Sequence, residues 1–384
     1  REVITPAEIL KGAEEKLSAA ERARRERQRI QTRGFTNFDL SADGKTIVVT
    51  LSGKLYAVER ASRKVTVLYG GDAPVIDPQL SPDGKSVAYV KDNDVFVTDV
   101  KTGREKRVTT GGTDEVTHGL AEFVAQEEMD RSRGFWWSPD SQWIVFEEAN
   151  HRGVEKFTIA DPAHPEAEPE RFPYPRPGKQ NVKVRLGLVK ASGGKVSWID
   201  WNSGGFEYLA RVIWKEAKAP LTIAVQDRLQ HRLRLLTVNV DTKGKKAPKT
   251  ELLHEWRDDA WINLDPHLPA WLPDGSGLLM PLELGDGRSL AFVGRDGKSK
   301  ELVPGDWQFQ RVVHHDEKTG ELKVLVTPSP VKQLLARASL KGSPAVVHFW
   351  ATWCGVCRAE QHNIVAVAED HPVFSVAVDS GDVE

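Results

Sequence analysis

Leu80-Ser81-Pro82-Asp83-Gly84-Lys85, followed by Ser86 and the apolar run Val87-Ala88-Tyr89-Val90, is the stretch on which the fold turns. Pro presets φ, Asp hydrogen-bonds nearby backbone and Gly accepts a positive φ, so these residues describe a tight link between two strands. The same grammar stands at Leu40-Ser41-Ala42-Asp43-Gly44-Lys45, at Trp137-Ser138-Pro139-Asp140-Ser141-Gln142 and at Trp271-Leu272-Pro273-Asp274-Gly275-Ser276. Asp43, Asp83, Asp140 and Asp274 are separated by 40, 57 and 134 positions. The first spacing suits one four-stranded blade of a β-propeller, and the last leaves room for about three less regular ones. Lys54-Leu55-Tyr56-Ala57-Val58-Glu59 and Asp94-Val95-Phe96-Val97-Thr98-Asp99 supply second strands of the same units. The sequence therefore predicts a mainly β chain, a seven- or eight-bladed β-propeller over residues 34–330, at roughly 40 residues per blade.

The 384 residues carry 53 Lys and Arg against 55 Asp and Glu, a formal net charge of −2. That balance predicts no basic face for nucleic acid. Hydrophobic residues at 40% and charged residues at 28% describe a folded chain. No apolar run reaches the roughly 18 residues of a membrane-spanning helix, so no membrane span is expected. Two cysteines exclude a disulfide-stapled scaffold. A start at Arg1 without Met is compatible with a removed signal peptide.

Residues 1–33 read as one N-terminal helical segment. Thr5 suits the cap, Pro6 the first helical position and Glu8 a capping box, while Ile9, Leu10, Ala13, Leu17 and Ala20 share an apolar face. The five Arg between Glu21 and Arg29 read as a solvated face with ion pairs along the helix, in preference to a nucleic-acid arm. After residue 330 the grammar changes to α/β: an apolar strand at 345–349, a helical pattern at 358–369 and a second strand at 373–378.

Two constellations carry chemistry. His118-Gly119-Leu120-Ala121-Glu122-Phe123-Val124-Ala125-Gln126-Glu127-Glu128-Met129 interrupts the strands with helical composition and sets Glu127 beside Glu128. Two adjacent carboxylates can receive an ammonium group through charge-assisted hydrogen bonds; a solvated helix turn is the plain alternative. The second is Cys354-Gly355-Val356-Cys357 at the head of the C-terminal helix. There the helix N-terminus favours the Cys354 thiolate and Cys357 can resolve a mixed disulfide. Half a zinc site competes, without a second cysteine pair to complete it. His314-His315-Asp316 reads as a turn rather than a metal cluster, and no cofactor is predicted. Glu147-Glu148 and Asp258-Asp259 read as surface charges. Trp136, Trp137, Trp143, Trp201, Trp256, Trp261, Trp271 and Trp307 read as blade core, with a carbohydrate platform as the alternative.

Glu122, Phe123, Val124, Glu127 and Glu128, with Trp136-Trp137-Ser138-Pro139 after them, give residues 34–330 a resemblance to the N-terminal propeller of the dipeptidyl peptidase IV family. Phe172-Pro173-Tyr174-Pro175-Arg176-Pro177-Gly178 with Asn181 and Val184, Tyr208–Ile213 with Trp214, and Gly305-Asp306-Trp307 extend it in order. The resemblance implies eight blades and an inserted helix whose Glu127 and Glu128 grip the free N-terminal amine of a peptide. It implies a substrate-gating module of a serine exopeptidase, a homodimer, and a periplasmic or secreted setting. The family's hydrolase domain, with its nucleophile in G-x-S-x-G, has no counterpart here, and the family's Arg for the substrate carbonyl matches no assignable position. Residues 331–384 resemble the N-terminal half of a thioredoxin-like periplasmic disulfide oxidoreductase, which implies redox roles for Cys354 and Cys357. Three functions therefore stand: a peptide-gating propeller, a thiol–disulfide oxidoreductase, and a peptide-binding module without chemistry.

Overall fold

The computed structural model describes residues 2–17, 21–22, 25–26, 29–163, 165–166, 168–241, 246–284, 287–316, 322–326, 346–350 and 373–377. Contacts divide the chain into two units, Arg1–Pro266 and His267–Glu384. After a short helix α1 (Pro6–Leu10), the first unit begins its sheets with β1 (Phe38–Leu40), β2 (Thr46–Leu51), β3 (Lys54–Glu59) and β4 (Val65–Tyr69), paired in chain order. The second sheet repeats this with β5 (Ile76–Leu80), β6 (Ser86–Lys91), β7 (Asp94–Asp99) and β8 (Glu105–Arg107).

The third sheet is interrupted. β9 (Val116–His118) precedes helix α2 (Phe123–Glu127), then come β10 (Phe135–Trp137) and β11 (Trp143–Asn150). A separate hairpin, β12 (Lys156–Ile159) with β13 (Glu170–Pro173), intervenes before β14 (Lys183–Lys190) and β15 (Ser197–Ile199). Spatial order is β10-β11-β14-β15, with β9 also on β11. The fourth sheet is β16 (Tyr208–Ile213), β17 (Leu221–Gln226), β18 (Arg232–Asn239) and β19 (Lys249–Arg257). In the second unit β20 (Ala270–Trp271), β21 (Gly277–Leu284), β22 (Gly287–Gly294) and β23 (Ser299–Val303) form a fifth sheet, and β24 (Phe309–His315) pairs with β25 (Leu322–Val326).

All four recurring turns occupy one position, the link from an edge strand to the strand it pairs with: β1 to β2, β5 to β6, β10 to β11 and β20 to β21. Ser81 Oγ donates to Asp83 Oδ1 at 2.6 Å and accepts the Ser86 amide at 3.0 Å, while Asp83 Oδ1 accepts the Lys85 amide at 3.1 Å. Ser41 and Asp43 repeat these bonds at 2.7, 2.9 and 3.0 Å. Gly44, Gly84 and Gly275 supply φ of 69°, 70° and 70°, and Ser141 fills the same position at 61°.

Neighbouring sheets of the first unit stack face to face, which is why their strands read as unbroken apolar runs. On β6, Val87 and Tyr89 pack with Val48, Leu55 and Ala57 of the first sheet. Ala88 and Val90, pointing the other way, pack with Phe135, Ile144 and Phe146 of the third. Trp143 and Val145 of β11 meet Leu209 and Ile223 of the fourth sheet. Each fully buried Val, Leu, Ile or Phe among them contributes about 1.5–3 kcal/mol.

Several expectations are corrected. The capping box of α1 forms, with Thr5 accepting the Glu8 amide and the Thr5 amide donating to Glu8, but the helix ends at Leu10. Lys11 and Gly12 turn left-handed, at φ of 50° and 89°, so residues 1–33 are not one helix. Arg25, expected on a solvated face, is buried and joins Glu21 and Glu15 at 2.8 and 2.9 Å. The interval from Asp140 to Asp274 holds the rest of the third sheet and one further sheet, fewer than the expected blades because the hairpin and long connections occupy it. The described residues hold five sheets of four or five strands. Trp137, Trp143, Trp201 and Trp271 are core, but Trp261 is 58% exposed because it lies in the loop after β19. His314 and His315 end strand β24 instead of forming a turn. At the C-terminus β26 (Val346–Trp350) and β27 (Val373–Ala377) pair in parallel. Cys354, Cys357 and the helix expected after them lie outside the described residues.

Candidate functional site

Helix α2 exists because Glu122 caps it: its carboxylate accepts the Val124 and Ala125 amides, each at 2.7 Å. Ala125 is fully buried beneath the helix, and Phe123 meets the Tyr174 ring edge-on at 4.9 Å between centroids. Glu127 is the last helical residue and Glu128 the C-cap, and both are exposed. No basic residue stands in the last turn. Two carboxylates thus gather at the negative end of the helix, where a cation is favoured by the acids and the backbone dipole together.

A buried ionic base holds this helix. Glu147, on β11 with no exposed surface, accepts the Glu122 amide at 2.9 Å and lies 2.7 Å from the Arg131 guanidinium. Arg131 also donates to the Leu209 carbonyl, and its own amide to Ala125. Arg211, from β16, donates to the Met129 carbonyl at 2.6 Å and to Asp265, fixing the chain just after the acid pair. Burial, and then the Glu147 charge, push Glu122 up to about 7 in spite of its two amides. Burial also raises Glu147, and burial with Arg131 nearby brings Arg211 down to about 10. Gly134 lets the segment close on itself, because a Cβ there would stand 2.4–2.6 Å from backbone atoms of Gly119, Leu120 and Ala121.

A second cluster sits at the mouth of the insertion. His118 joins Asp94 at 2.6 Å through Nδ1 and Glu148 at 3.2 Å through Nε2. Burial would lower His118, but these two carboxylates outweigh it and hold the ring protonated, up to about 9. Burial likewise opposes the charge of Asp94, yet His118, Arg107, Thr109 and the Gly112 amide bring it down to about 2. Glu148 also takes Arg185 at 2.7 Å.

Glu147 and Glu148 are therefore not surface charges: Glu147 meets Arg131 from the segment after α2, and Glu148 meets His118 and Arg185 across the sheet. The sequence set Glu127 beside Glu128, as the structure has them, but Arg131, Arg211, Glu147 and Asp94 gave no local signal. Only His118, opening the segment, marked where the strands stop. Among the described residues no group of three His, Cys, Asp or Glu side chains is arranged to hold a metal ion.

Comparison with known proteins follows the same residues. The model of the dipeptidyl peptidase IV (DPP IV) N-terminal region matches residues 41–343. A probable dipeptidyl-aminopeptidase B of Chaetomium globosum is 29% identical over 264 residues, 62% of this chain and 28% of that protein. Human dipeptidyl peptidase 8 is 28% identical over 261 residues, 58% and 29% of the two chains. The inactive dipeptidyl peptidase 10 of Rattus norvegicus is 26% identical over 279 residues, 67% and 34%. The chain thus spans about a third of the length of these relatives. The crystal structure of Porphyromonas gingivalis dipeptidyl peptidase 4 shares the fold, with a TM-score of 0.67 at 21% identity over 77% of this chain and 43% of that one. On the family match, which takes in most of its length, the chain belongs to the dipeptidyl peptidase IV N-terminal region family.

Proposed function

We propose that residues 34–330 form a propeller of the family type that receives peptides by their free N-terminal amine at Glu127 and Glu128, and so filters substrates for a dipeptidyl-peptidase-type serine exopeptidase. The observation that carries this is the exposed acid pair at the C-terminal end of a capped helix whose base is buried and ionic. Stacked four-stranded sheets support the propeller architecture. Amide hydrolysis needs a nucleophile, a base and an oxyanion hole, and no G-x-S-x-G stands in these residues, so this module's share of the reaction is binding. A periplasmic or secreted setting and a homodimer go with this reading; sedimentation showing only monomers would remove the dimer, and recovery of the native protein solely from cytoplasm would remove the setting.

The test is calorimetric titration with a short peptide and its N-acetylated form. Each charge-assisted hydrogen bond to the amine is worth about 1.5–3 kcal/mol, so acetylation should weaken binding about tenfold or more. Glu127→Gln and Glu128→Gln should each do likewise. Equal affinity for both peptides ends the reading.

Recognition without turnover is a second form of the same reading, favoured by a relative whose name declares it inactive. The parallel pairing of β26 with β27 favours a thiol–disulfide activity in residues 331–384. There Cys354 would attack and Cys357 resolve. Insulin reduction unchanged by Cys354→Ser would refute that role.

A further inference from the structure

The edge strand of the second sheet, β8, and that of the third, β15, part around a cavity of about 340 Å³. Elsewhere apolar side chains fill the space between these sheets. Here the lining includes Lys106, Arg107, Gly111, His118, Glu148 and Trp198. Arg185 stands behind this lining, ion-paired with Glu148 and lying 3.8 Å from the centroid of the Trp198 ring. Gly111 and Gly194 border open space, since a Cβ on either would meet nothing within 4 Å.

The charges do not balance. Lys106, Arg107, Arg185 and the protonated His118 are opposed by the two carboxylates of Asp94 and Glu148. Both carboxylates are already engaged, Asp94 by Arg107 and His118, Glu148 by His118 and Arg185. Among the described residues Lys106 has no ion-pair partner, and its ammonium would stand 3.6 Å from a Cβ on Gly193, across the crevice from its own strand. Two positive charges are left over around a recess with an aromatic wall. A monocarboxylate would answer one of them; a phosphate dianion answers both and offers acceptors for the guanidinium and ammonium donors.

We propose that this crevice binds a phosphate dianion, as inorganic phosphate or as a small phosphate monoester. It is independent of the amine site, so either can fail alone. Titration calorimetry of the full chain with inorganic phosphate, ribose 5-phosphate and ribose tests it. Phosphate should bind and ribose should not; tighter binding of the ester assigns the ligand to an organic phosphate, equal or weaker binding to the free ion. Lys106→Glu removes an exposed, unpaired cation, so the fold survives, and it should weaken phosphate binding about tenfold or more. Lys106→Arg should retain it, and neither change should alter the affinity for a free-amine peptide. Absence of heat from both phosphates up to about 10 mM, a concentration that would still reveal millimolar binding, overturns the site. So does a Lys106→Glu protein that binds as the parent does, or ribose binding as well as its phosphate.

Discussion

The second and third sheets share a turn and differ in the middle of the strand that follows it, which is an unbroken apolar run in β6 and holds a fully buried glutamate in β11. β6 of the second hides Val87, Ala88, Tyr89 and Val90, and its four strands follow one another without insertion. β11 of the third hides Glu147 beside Phe146, and its sheet is opened by helix α2 and by the hairpin of β12 and β13. Apolar burial is forgiving, since any sheet with two greasy faces can stack on its neighbours. Buried charge is not, because each ion must find its own partner. The third sheet accepts that constraint for a five-residue helix, too short to persist alone, which must be clamped from below to hold Glu127 and Glu128 in place.

The contrast is broken most directly at Glu147. Glu147→Ala leaves Arg131 buried without its carboxylate, and unfolding in denaturant should show a loss of about 3–5 kcal/mol. Val87→Ala, the apolar counterpart in the second sheet, should cost about 1.5–3 kcal/mol. Replacing the pair together, Glu147→Leu with Arg131→Met, should cost less than Glu147→Ala alone, since the buried guanidinium then goes with its carboxylate. If Glu147→Ala proves the milder of the two single changes, the third sheet is held by its apolar faces like the second.

His118 sharpens the same difference through pH. Its pKa rises on folding from an ordinary value near 6.5 to about 9, so its contribution is complete below about 6.5 and is lost as pH climbs through 9. The shift corresponds to up to about 3 kcal/mol. The parent should lose stability between pH 6.5 and 9 relative to His118→Gln. Parallel pH profiles for the two proteins would show that the Asp94–His118–Glu148 chain holds nothing.

This division also decides what was legible in the sequence. Asp83 and Gly84 announce their turn because the bonds they make reach only a few residues along the chain. Glu127 and Glu128 were legible for the same reason: neighbours in sequence on one short helix are neighbours in space. Glu147 was not, because a glutamate in a strand reads as solvent-facing until Arg131, brought in by a loop, is known to lie against it. Arg211 hides its role more deeply still, since it acts on the carbonyls of Met129 and Asp265, atoms every residue has. The helix expected across residues 1–33 failed in the opposite way. Composition favoured it throughout, and one left-handed step at Lys11 and Gly12 overrode that preference.

Gly134 tests whether the insertion needs its close approach. Gly134→Ala forces a methyl into the backbone at Gly119–Ala121, and a loss of about 1–3 kcal/mol is expected. Affinity for a free-amine peptide should fall with it, because the shift is delivered to the chain that caps α2. Gly84→Ala offers the comparison in the second sheet: its loss comes from φ of 70°, and peptide affinity should be unchanged. Equal effects on binding would mean that Gly134 serves stability alone.

The smallest expected effect lies in the turn that the two sheets share. Ser141 stands where the other three turns have Gly, at φ of 61°, and its Oγ accepts the Asp83 amide from the second sheet's turn at 3.1 Å. A left-handed conformation costs a non-glycine residue about 1–2 kcal/mol. An exposed hydrogen bond returns about 0.5–1.5 kcal/mol. Ser141→Gly removes both, so its stability should lie within about 0.5 kcal/mol of the parent. Ser141→Ala keeps the strain and loses the bond, and should be the less stable variant by about 1 kcal/mol. If Ser141→Gly instead falls below the parent by as much as Ser141→Ala does, the left-handed step costs nothing here, the bond between the two turns alone sets the balance, and the third sheet departs from the second even at the turn they have in common.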